Sequence, residues 1–476
     1  MIKPVSVFLF LGSILLLFFT LFWQLEKLPI QLWDESRNVT NALEMYGSGN
    51  YFVTYFESSP DMWNTKPPLL LWLQVICLKI IGVRELAFRL PTALAGLMTA
   101  LSLFFWYKKK EDNIWKGWAA MLILVSTVGY VHIHCTRTGD YDALMIFWVM
   151  AALLTFYHFL QSHKYSFFVI SVFMMALAAL TKGVQAYLVM PFMFIFWLFQ
   201  SKDKKKFFIQ AVIYLFIALF PLFIYYLYRD SINPGYFQAV MDNELGGRFL
   251  RTLEEHKLPW YFYLQHHFNT GTKFWFPLAI IAFVIYLFNT GTKKISGFAT
   301  YLLFIIVGYH LIIAMSQTKL DWYGNTLYPL YALFIVEILF TFWKDYKVAI
   351  VLGLISIFPL YLVIKNNYDF LNLYEDDSCH TAKILQQELK NHTLRDSTKI
   401  IAYGYVPHVK YYIYVAAKKG IYTPLVEEKD IKEGDMVITH RSESIQEIVS
   451  KYTIKEFRGY KTAKKFIVLP PAHTPD

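Results

Sequence analysis

Trp33-Asp34-Glu35-Ser36-Arg37 sets two acids beside a base, and Asn64-Thr65-Lys66-Pro67-Pro68 follows in the same polar stretch. Further polar segments carry His132, His134, Arg137, Asp140 and Asp142, then Thr181-Lys182-Gly183. Two more carry Glu244, Arg248, His256 and His266-His267, and then Gln317, Lys319, Asp321 and Tyr323. A carboxylate can orient an attacking group or take its proton, while lysines and arginines stabilise charge developing on phosphate oxygens. A sugar leaving a lipid phosphate needs both. Trp and Tyr near these segments can stack on a sugar face or anchor loops at lipid headgroups.

The elements that must position these residues are membrane helices. The chain has 476 residues, 56% hydrophobic and only 17% charged, against roughly 45–50% and 25% in soluble domains. Apolar runs recur at about 5–25, 90–107, 115–131, 143–160, 165–181, 184–200, 207–228, 274–290, 296–316, 326–343 and 347–365. Each is near the length that crosses about 30 Å of hydrocarbon, which predicts an α-helical polytopic membrane protein with about eleven crossings. The first run lacks a small-residue cleavage site and reads as a retained span, with the N-terminus and Lys3 in the cytoplasm.

Lysine placement sets the orientation. Loops 107–116 and 201–206 hold four lysines each and loops 291–295 and 344–347 two each, whereas the short loops of the opposite side hold only Arg137, Lys182 and Lys319. By the positive-inside rule the chemistry-bearing loops face outward. Loop lysines also account for the net charge of +10, so no nucleic-acid partner is expected. Residues 67–82 are short, open with Pro67-Pro68 and contain Lys79, which suits an interfacial helix inside one external loop, 26–89. An odd number of crossings then carries residues 366–476 outside, where helical and strand-like patterns alternate and predict a small extracytoplasmic α/β domain after a transmembrane domain of residues 1–365.

Plainer roles exist for the same residues. Asp34 and Glu35 could cap the helix that follows them, and Lys66 could snorkel from an interfacial helix. His132 and His134, like His266-His267, read as hydrogen-bonded loop residues and not as metal ligands. Cys77, Cys135 and Cys379 are too scattered for a disulfide framework or a zinc site.

Trp33-Asp34-Glu35, Ala42-Leu43-Glu44-Met45 with Gly49, Lys66-Pro67-Pro68-Leu69 and Arg89-Leu90-Pro91 resemble the N-terminal module of the GT-C glycosyltransferases. Within them the likeness is to the protein O-mannosyltransferase superfamily and its bacterial lipid A aminoarabinose transferase branch. Arg137 with Asp142, Leu180-Thr181-Lys182-Gly183, Glu244 with Arg248, Glu255-His256-Lys257, Trp275-Phe276-Pro277 and Thr318-Lys319-Leu320 with Tyr323 agree, so the likeness covers about residues 1–345.

The resemblance implies a GT-C fold and an inverting transfer of one sugar from a polyprenyl-phosphate carrier on the external leaflet, with no cofactor and no metal needed for the chemistry. Carried over residue by residue, Asp34 and Glu35 form the catalytic pair, Asp34 as the catalytic carboxylate and Glu35 as its neighbour shaping sugar or acceptor binding. Lys66, Arg137, Lys182, Arg248 and Lys319 contact the carrier phosphate, and Asp142, preferred to Asp140, is a substrate carboxylate. His256 and Tyr323 complete the substrate-binding set. The implied partners are a polyprenyl-phosphate-linked sugar, a lipid A-like lipid or other glycan acceptor, and membrane lipids of the cytoplasmic (inner) membrane. A protein O-glycosyltransferase shares the same site logic. A lipid-linked sugar transporter is disfavoured by the absence of an internal repeat and of mid-membrane charges.

Overall fold

The computed structural model describes residues 4–247, 257–290, 295–343, 345–368 and 376–471, without the side chains of residues 4–10 and Leu245. All eleven predicted runs are helical. They correspond to α1 (Pro4–Leu17), continued by a π turn to Phe22, then α4 (Glu85–Glu111), α5 (Ile114–Val125), α6 (Asp142–Ser162), α7 (Tyr165–Lys182), α8 (Met190–Gln200) and α9 (Lys204–Ile232). After two short helices, α10 (Tyr236–Val240) and α11 (Phe262–His266), come α12 (Phe276–Asn289), α13 (Gly297–Met315), α14 (Leu327–Phe342) and α15 (Asp345–Tyr368).

Among the described residues seven helical stretches are long and apolar enough to cross a membrane, one of them the run Tyr165–Gln200. That run covers both predicted spans, 165–181 and 184–200, and is broken at Gly183, whose φ of 67° is open to glycine without steric cost. The first, third and eighth predicted runs are shorter apolar helices, as is α3 (Leu69–Ile81). At 13 residues, α3 reaches only about 20 Å at 1.5 Å per residue, which fits the interfacial role expected of it. Its Leu70, Leu71, Gln74, Val75 and Leu78 face inward while Ile76 and Ile80 remain exposed.

Burial orders the bundle. The apolar window of the α14 stretch is 83% buried, against 22% for α9 and 33% for α15, so α14 is the central post and the other two turn most of their surface to lipid. Glu337 on α14 is buried and pairs with Lys116 at 2.8 Å, as a carboxylate within a span requires. The ends of the bundle differ in chemistry. Along α4, Arg89 lies near one end and Lys108–Lys110 near the other, about 28 Å apart by helix rise, nearly one hydrocarbon thickness.

The C-terminal segment folds as the predicted α/β unit: α16 (Ser378–Lys390), β1 (Lys399–Ile401), α17 (Pro407–Lys418), β2 (Met436–Thr439), α18 (Ser442–Lys451), β3 (Thr453–Tyr460) and β4 (Ala463–Leu469). The sheet order is β1-β2-β4-β3, with β1/β2 parallel and the other two pairs antiparallel.

This unit shares a hydrophobic core with the first loop. Ile30, Val39, Ala42 and Met45 of the loop and its helix α2 (Asp34–Ser48), with Val75 and Phe88, pack with Ile384, Leu385, Val409 and Tyr412. Lys383 donates to Lys27 O at 2.6 Å and Gln386 to Glu85 at 2.6 Å. Two segments packed into one core lie on one side of a membrane, so an even number of crossings must separate them.

Candidate active site

Helix α2 carries the acidic pair at its first turn. Its buried positions Glu35, Asn38, Val39, Ala42 and Met45 recur every three or four residues, which fixes its rotation. At the far end Gly49 closes the helix in the left-handed conformation, φ 71°. A helix turns about 100° per residue, so Asp34 and Glu35 leave it in different directions. Glu35 points into the protein and is 1% exposed, whereas the Asp34 side chain is 54% exposed.

Glu35, expected to be catalytic, is consumed by structure. Its oxygens accept from Arg89 Nε at 2.6 Å and Nη2 at 2.7 Å, from the Gln31 amide at 2.8 Å and from the Gly139 amide at 2.9 Å. Arg89, from the Arg89-Leu90-Pro91 motif, is fully buried and also donates to the carbonyls of Leu25, Leu28 and Pro29. All the donors of its guanidinium fork find acceptors, the condition under which a buried ion pair is tolerated. The pair ties together the start of α2, the turn 25–31, α4 and the loop 126–141. With these four contacts Glu35 is engaged within the protein and positions its neighbours, whereas Asp34 stays accessible.

Trp33, just before Asp34, has φ 69° and ψ −118°, a region side chains rarely occupy. The strain is held by Arg37 N–H and Ser36 Oγ donating to the Trp33 carbonyl, and by the Trp33 ring stacking on Tyr405 of the C-terminal unit at 5.0 Å. Tyr405 also stacks on Phe56. The C-terminal unit therefore reaches the residue that aims Asp34.

A second network secures Lys66. Arg37 grips Asp61 through two bonds, 2.9 and 2.6 Å. Burial acts to raise the Asp61 carboxyl, and Arg37 with the Asn64 amide outweighs it, leaving the group below its usual range. Asn64 bonds Asn38 and Asn41 of α2 and the Tyr141 hydroxyl at 2.9–3.1 Å. The Lys-Pro-Pro loop is thus pinned to α2 one and two turns beyond Asp34. Lys66 itself pairs with Glu244, which Thr65 also contacts at 3.1 Å.

Among the described residues, the remaining expected cations do not converge in one open cluster. Lys182 is buried and bonded to both oxygens of Asp142 at 2.7 Å. Arg137 is buried and donates to the carbonyls of Leu21 at 3.0 Å and Trp23 at 2.8 Å. Burial, with Arg89 nearby, lowers its guanidinium to about 9, so it stays charged at neutral pH. Lys319 donates to Ser316 O at 2.5 Å. Tyr323 is half-buried, its carbonyl accepting from the Tyr309 hydroxyl at 3.0 Å. Arg248 and His256 lie outside the described residues.

Asp142 was preferred to Asp140, and here the geometry differs. Asp142 is spent on Lys182, whereas Asp140, 3% exposed, lies beside His134 and Asp34. Burial pushes the Asp140 carboxyl upward; His134 and Thr138 oppose this, and Asp34 and Glu35 add to it. Spacing alone does not distinguish Asp140 from Asp142, because the choice rests on which one meets Lys182, a helix away. Arg89 and Tyr405 were also missed as site residues. Arg89 left one signal, a lone arginine beside Pro91 at the head of an apolar run.

Comparison with known proteins agrees with this architecture. The model of the dolichyl-phosphate-mannose-protein mannosyltransferase family matches residues 65–228. The structure of ArnT from Cupriavidus metallidurans bound to undecaprenyl phosphate superimposes over 100% of both chains, with a TM-score of 0.66 at 12% identity. The chain has the fold of that transferase. Its apo ArnT counterpart gives 0.67 over 98% of each chain. In sequence, the chain is 27% identical over 157 residues to the putative mannosyltransferase YycA of Bacillus subtilis, 33% of this chain and 22% of that protein. It is 24% identical over 245 residues to undecaprenyl phosphate-alpha-4-amino-4-deoxy-L-arabinose arabinosyl transferase 2 of Pseudomonas fluorescens, 49% of this chain and 43% of that one. The sequence matches thus span well under two thirds of these relatives' own length.

Proposed function

We propose that this chain is an inverting glycosyltransferase that moves a single sugar from a polyprenyl-phosphate carrier to a lipid, lipid A-like, or other envelope acceptor. The reading puts it at the outer face of the cytoplasmic membrane, with Asp34 as the carboxylate that meets the reactants. One observation carries it: of two adjacent acids, Glu35 is locked by Arg89 into the scaffold and Asp34 is held half-exposed on the next helical position. A rigid neighbour that fixes the geometry of an accessible carboxylate is what positional catalysis needs.

Lys66 is the cation best suited to the carrier phosphate, because its partner Glu244 comes from another segment and can be exchanged for a lipid phosphate. A phosphate acceptor is already ionised at neutral pH, so Asp34 would orient it; a hydroxyl acceptor would need Asp34 as base. The family match at residues 65–228 carries a protein-mannosyltransferase description, which keeps a protein hydroxyl as the second acceptor class.

The test is transfer of radiolabelled sugar from polyprenyl phosphate by detergent-purified protein, wild type against Asp34→Asn. Loss of about 10²-fold or more is expected; turnover near wild type refutes the assignment. Transfer without a second compartment also separates an enzyme from a transporter. Mass spectrometry of lipid A and envelope proteins, with and without the chain, identifies the acceptor.

A further inference from the structure

Asp34 sits between two fixed neighbours. Glu35, after it, is locked by Arg89, and Trp33, before it, holds φ 69° and ψ −118°. A side chain stays in such a region only where its surroundings over-determine it, and residues of this kind gather at functional sites. The carbonyl of Trp33 is fixed from within α2, by the Arg37 amide and the Ser36 hydroxyl. Trp33 is 62% exposed, so the core does little to hold its ring. The C-terminal unit supplies that hold.

Tyr405 stacks on Trp33 at 5.0 Å and 19°, and on Phe56 at 5.9 Å and 19°. The Arg37 guanidinium lies over the Phe56 ring at 4.3 Å and also faces the Tyr405 hydroxyl. These contacts leave α2 at Trp33 and return to it at Arg37, one turn on. Of the four residues Tyr405 alone belongs to the C-terminal unit. Ring pairs have preferred geometries, so the stack fixes the Trp33 ring and, through it, the backbone that precedes Asp34.

Tyr405 is itself firmly placed. It lies in the turn between β1 and α17, followed by the buried Val406 and Pro407. Within α17, Val409 and Tyr412 belong to the core shared with Ile30 and Val39. The Tyr412 hydroxyl accepts the Ile30 amide at 3.1 Å and donates to Glu85 at 3.0 Å, and Lys410 pairs with Glu57, next to Phe56, at 2.6 Å. Packing outside the stack therefore resists any shift of Tyr405 relative to α2.

We propose that Tyr405 is a positioning residue for sugar transfer: its ring holds Trp33 in the strained turn that aims the Asp34 carboxylate, and by this contact the C-terminal unit sets the turnover number. This rests on the reading of Asp34 as the carboxylate that meets the reactants. Without the ring, Trp33 relaxes toward the extended conformation usual just before a helix. The peptide joining it to Asp34 then rotates, and the carboxylate leaves its place while Glu35 keeps its own. A misplacement of about 1 Å at a reacting group costs on the order of 100-fold in rate. Lys66, secured through Asp61 and Asn64, stays where it is, so affinity for the carrier is retained.

The experiment measures kcat and KM of full-length protein in detergent with radiolabelled hexosyl- and pentosyl-polyprenyl phosphates and envelope extract as acceptor, on whichever donor the wild type transfers faster. Tyr405→Ala should lower kcat by about 10- to 100-fold, with the donor KM within about twofold of wild type and the thermal midpoint little changed. Tyr405→Phe and Tyr405→Trp, which keep a ring, should retain most of the turnover. Trp33→Ala should match Tyr405→Ala, and the double variant should be no slower than either, because both break one contact. Tyr422→Ala, altered at an exposed residue of the same unit, should behave like wild type. Tyr405→Ala within about twofold of wild-type kcat, with Asp34→Asn inactive, overturns this proposal alone. Asp34→Asn near wild-type turnover, or a wild type that transfers neither donor, refutes the reading beneath it and the proposal with it. A loss as large in Tyr405→Phe as in Tyr405→Ala, or Trp33 and Tyr405 effects that multiply, also overturns it. If Tyr405→Ala fails to fold, Trp33→Ala must show the fall in kcat instead.

Discussion

Replacing Glu35 by alanine should cost far more stability than replacing Asp34 beside it. Glu35 accepts two charge-assisted bonds from the fully buried Arg89 and two more from the amides of Gln31 and Gly139. Without it, the Arg89 charge keeps only carbonyl partners, and breaking one side of a buried pair typically costs about 3–5 kcal/mol. The buried Gly139 amide and the half-buried Gln31 amide also lose their acceptor, worth about 1–3 kcal/mol for a buried group if water does not replace it, which places the total at the upper end of that range. Asp34→Ala removes a side chain that is 54% exposed and should change stability by only about 0.5 kcal/mol. The measurement is equilibrium unfolding in a fixed detergent mixture for Glu35→Ala, Asp34→Ala and the double replacement Glu35→Leu with Arg89→Met. The double variant should recover much of the loss, because an apolar pair of similar volume needs no compensating charge. A Glu35→Ala loss below about 1 kcal/mol, or a double variant less stable than Glu35→Ala, would refute the view that this pair holds the site loops together.

Three further outcomes follow from the same geometry. Glu244→Gln weakens the Lys66 pair and should tighten polyprenyl-phosphate binding severalfold, read by competition with labelled carrier; unchanged or weaker affinity contradicts an exchangeable lysine. Burial lowers the Lys383 amine to about 8, against 10.5 for the exposed group. The unfolded chain thus binds the extra proton between pH 8 and 10.5, and this group makes stability rise with pH across that window by at most about 1.4 kcal/mol per unit. Lys383→Met should remove that slope in unfolding experiments across the window. Gly129→Ala would place a methyl 2.9 Å from Gly271 Cα and against the Tyr328 hydroxyl; a loss of about 1–3 kcal/mol is expected from thermal unfolding.

Helix positions were legible because hydrocarbon thickness and the cost of buried charge act on composition alone: each of the eleven apolar runs is helical, and the short one at 67–82 stays short. The C-terminal α/β pattern was legible from its periodicity. Partner choice was not. Nothing in Asp34-Glu35 says which acid turns inward, since that depends on Arg89, which is 54 positions away in sequence and fully buried against Glu35. Likewise spacing favours Asp142 as the substrate carboxylate, yet in the fold it pairs with Lys182 and leaves Asp140 beside His134.

The amino-acid sequence by itself determined that this protein lives in a membrane, that its reactive side chains collect at the end opposite its lysine-rich loops, and that a mixed α/β unit follows the spans. Those conclusions need only transfer free energies and local periodicity. Tertiary structure alone decided which charges neutralise each other and which stay available, and that the C-terminal unit shares a core with the first loop and stacks Tyr405 on Trp33. Ion pairing and ring stacking act over a few ångströms, and only the folded chain brings residues from separate helices that close.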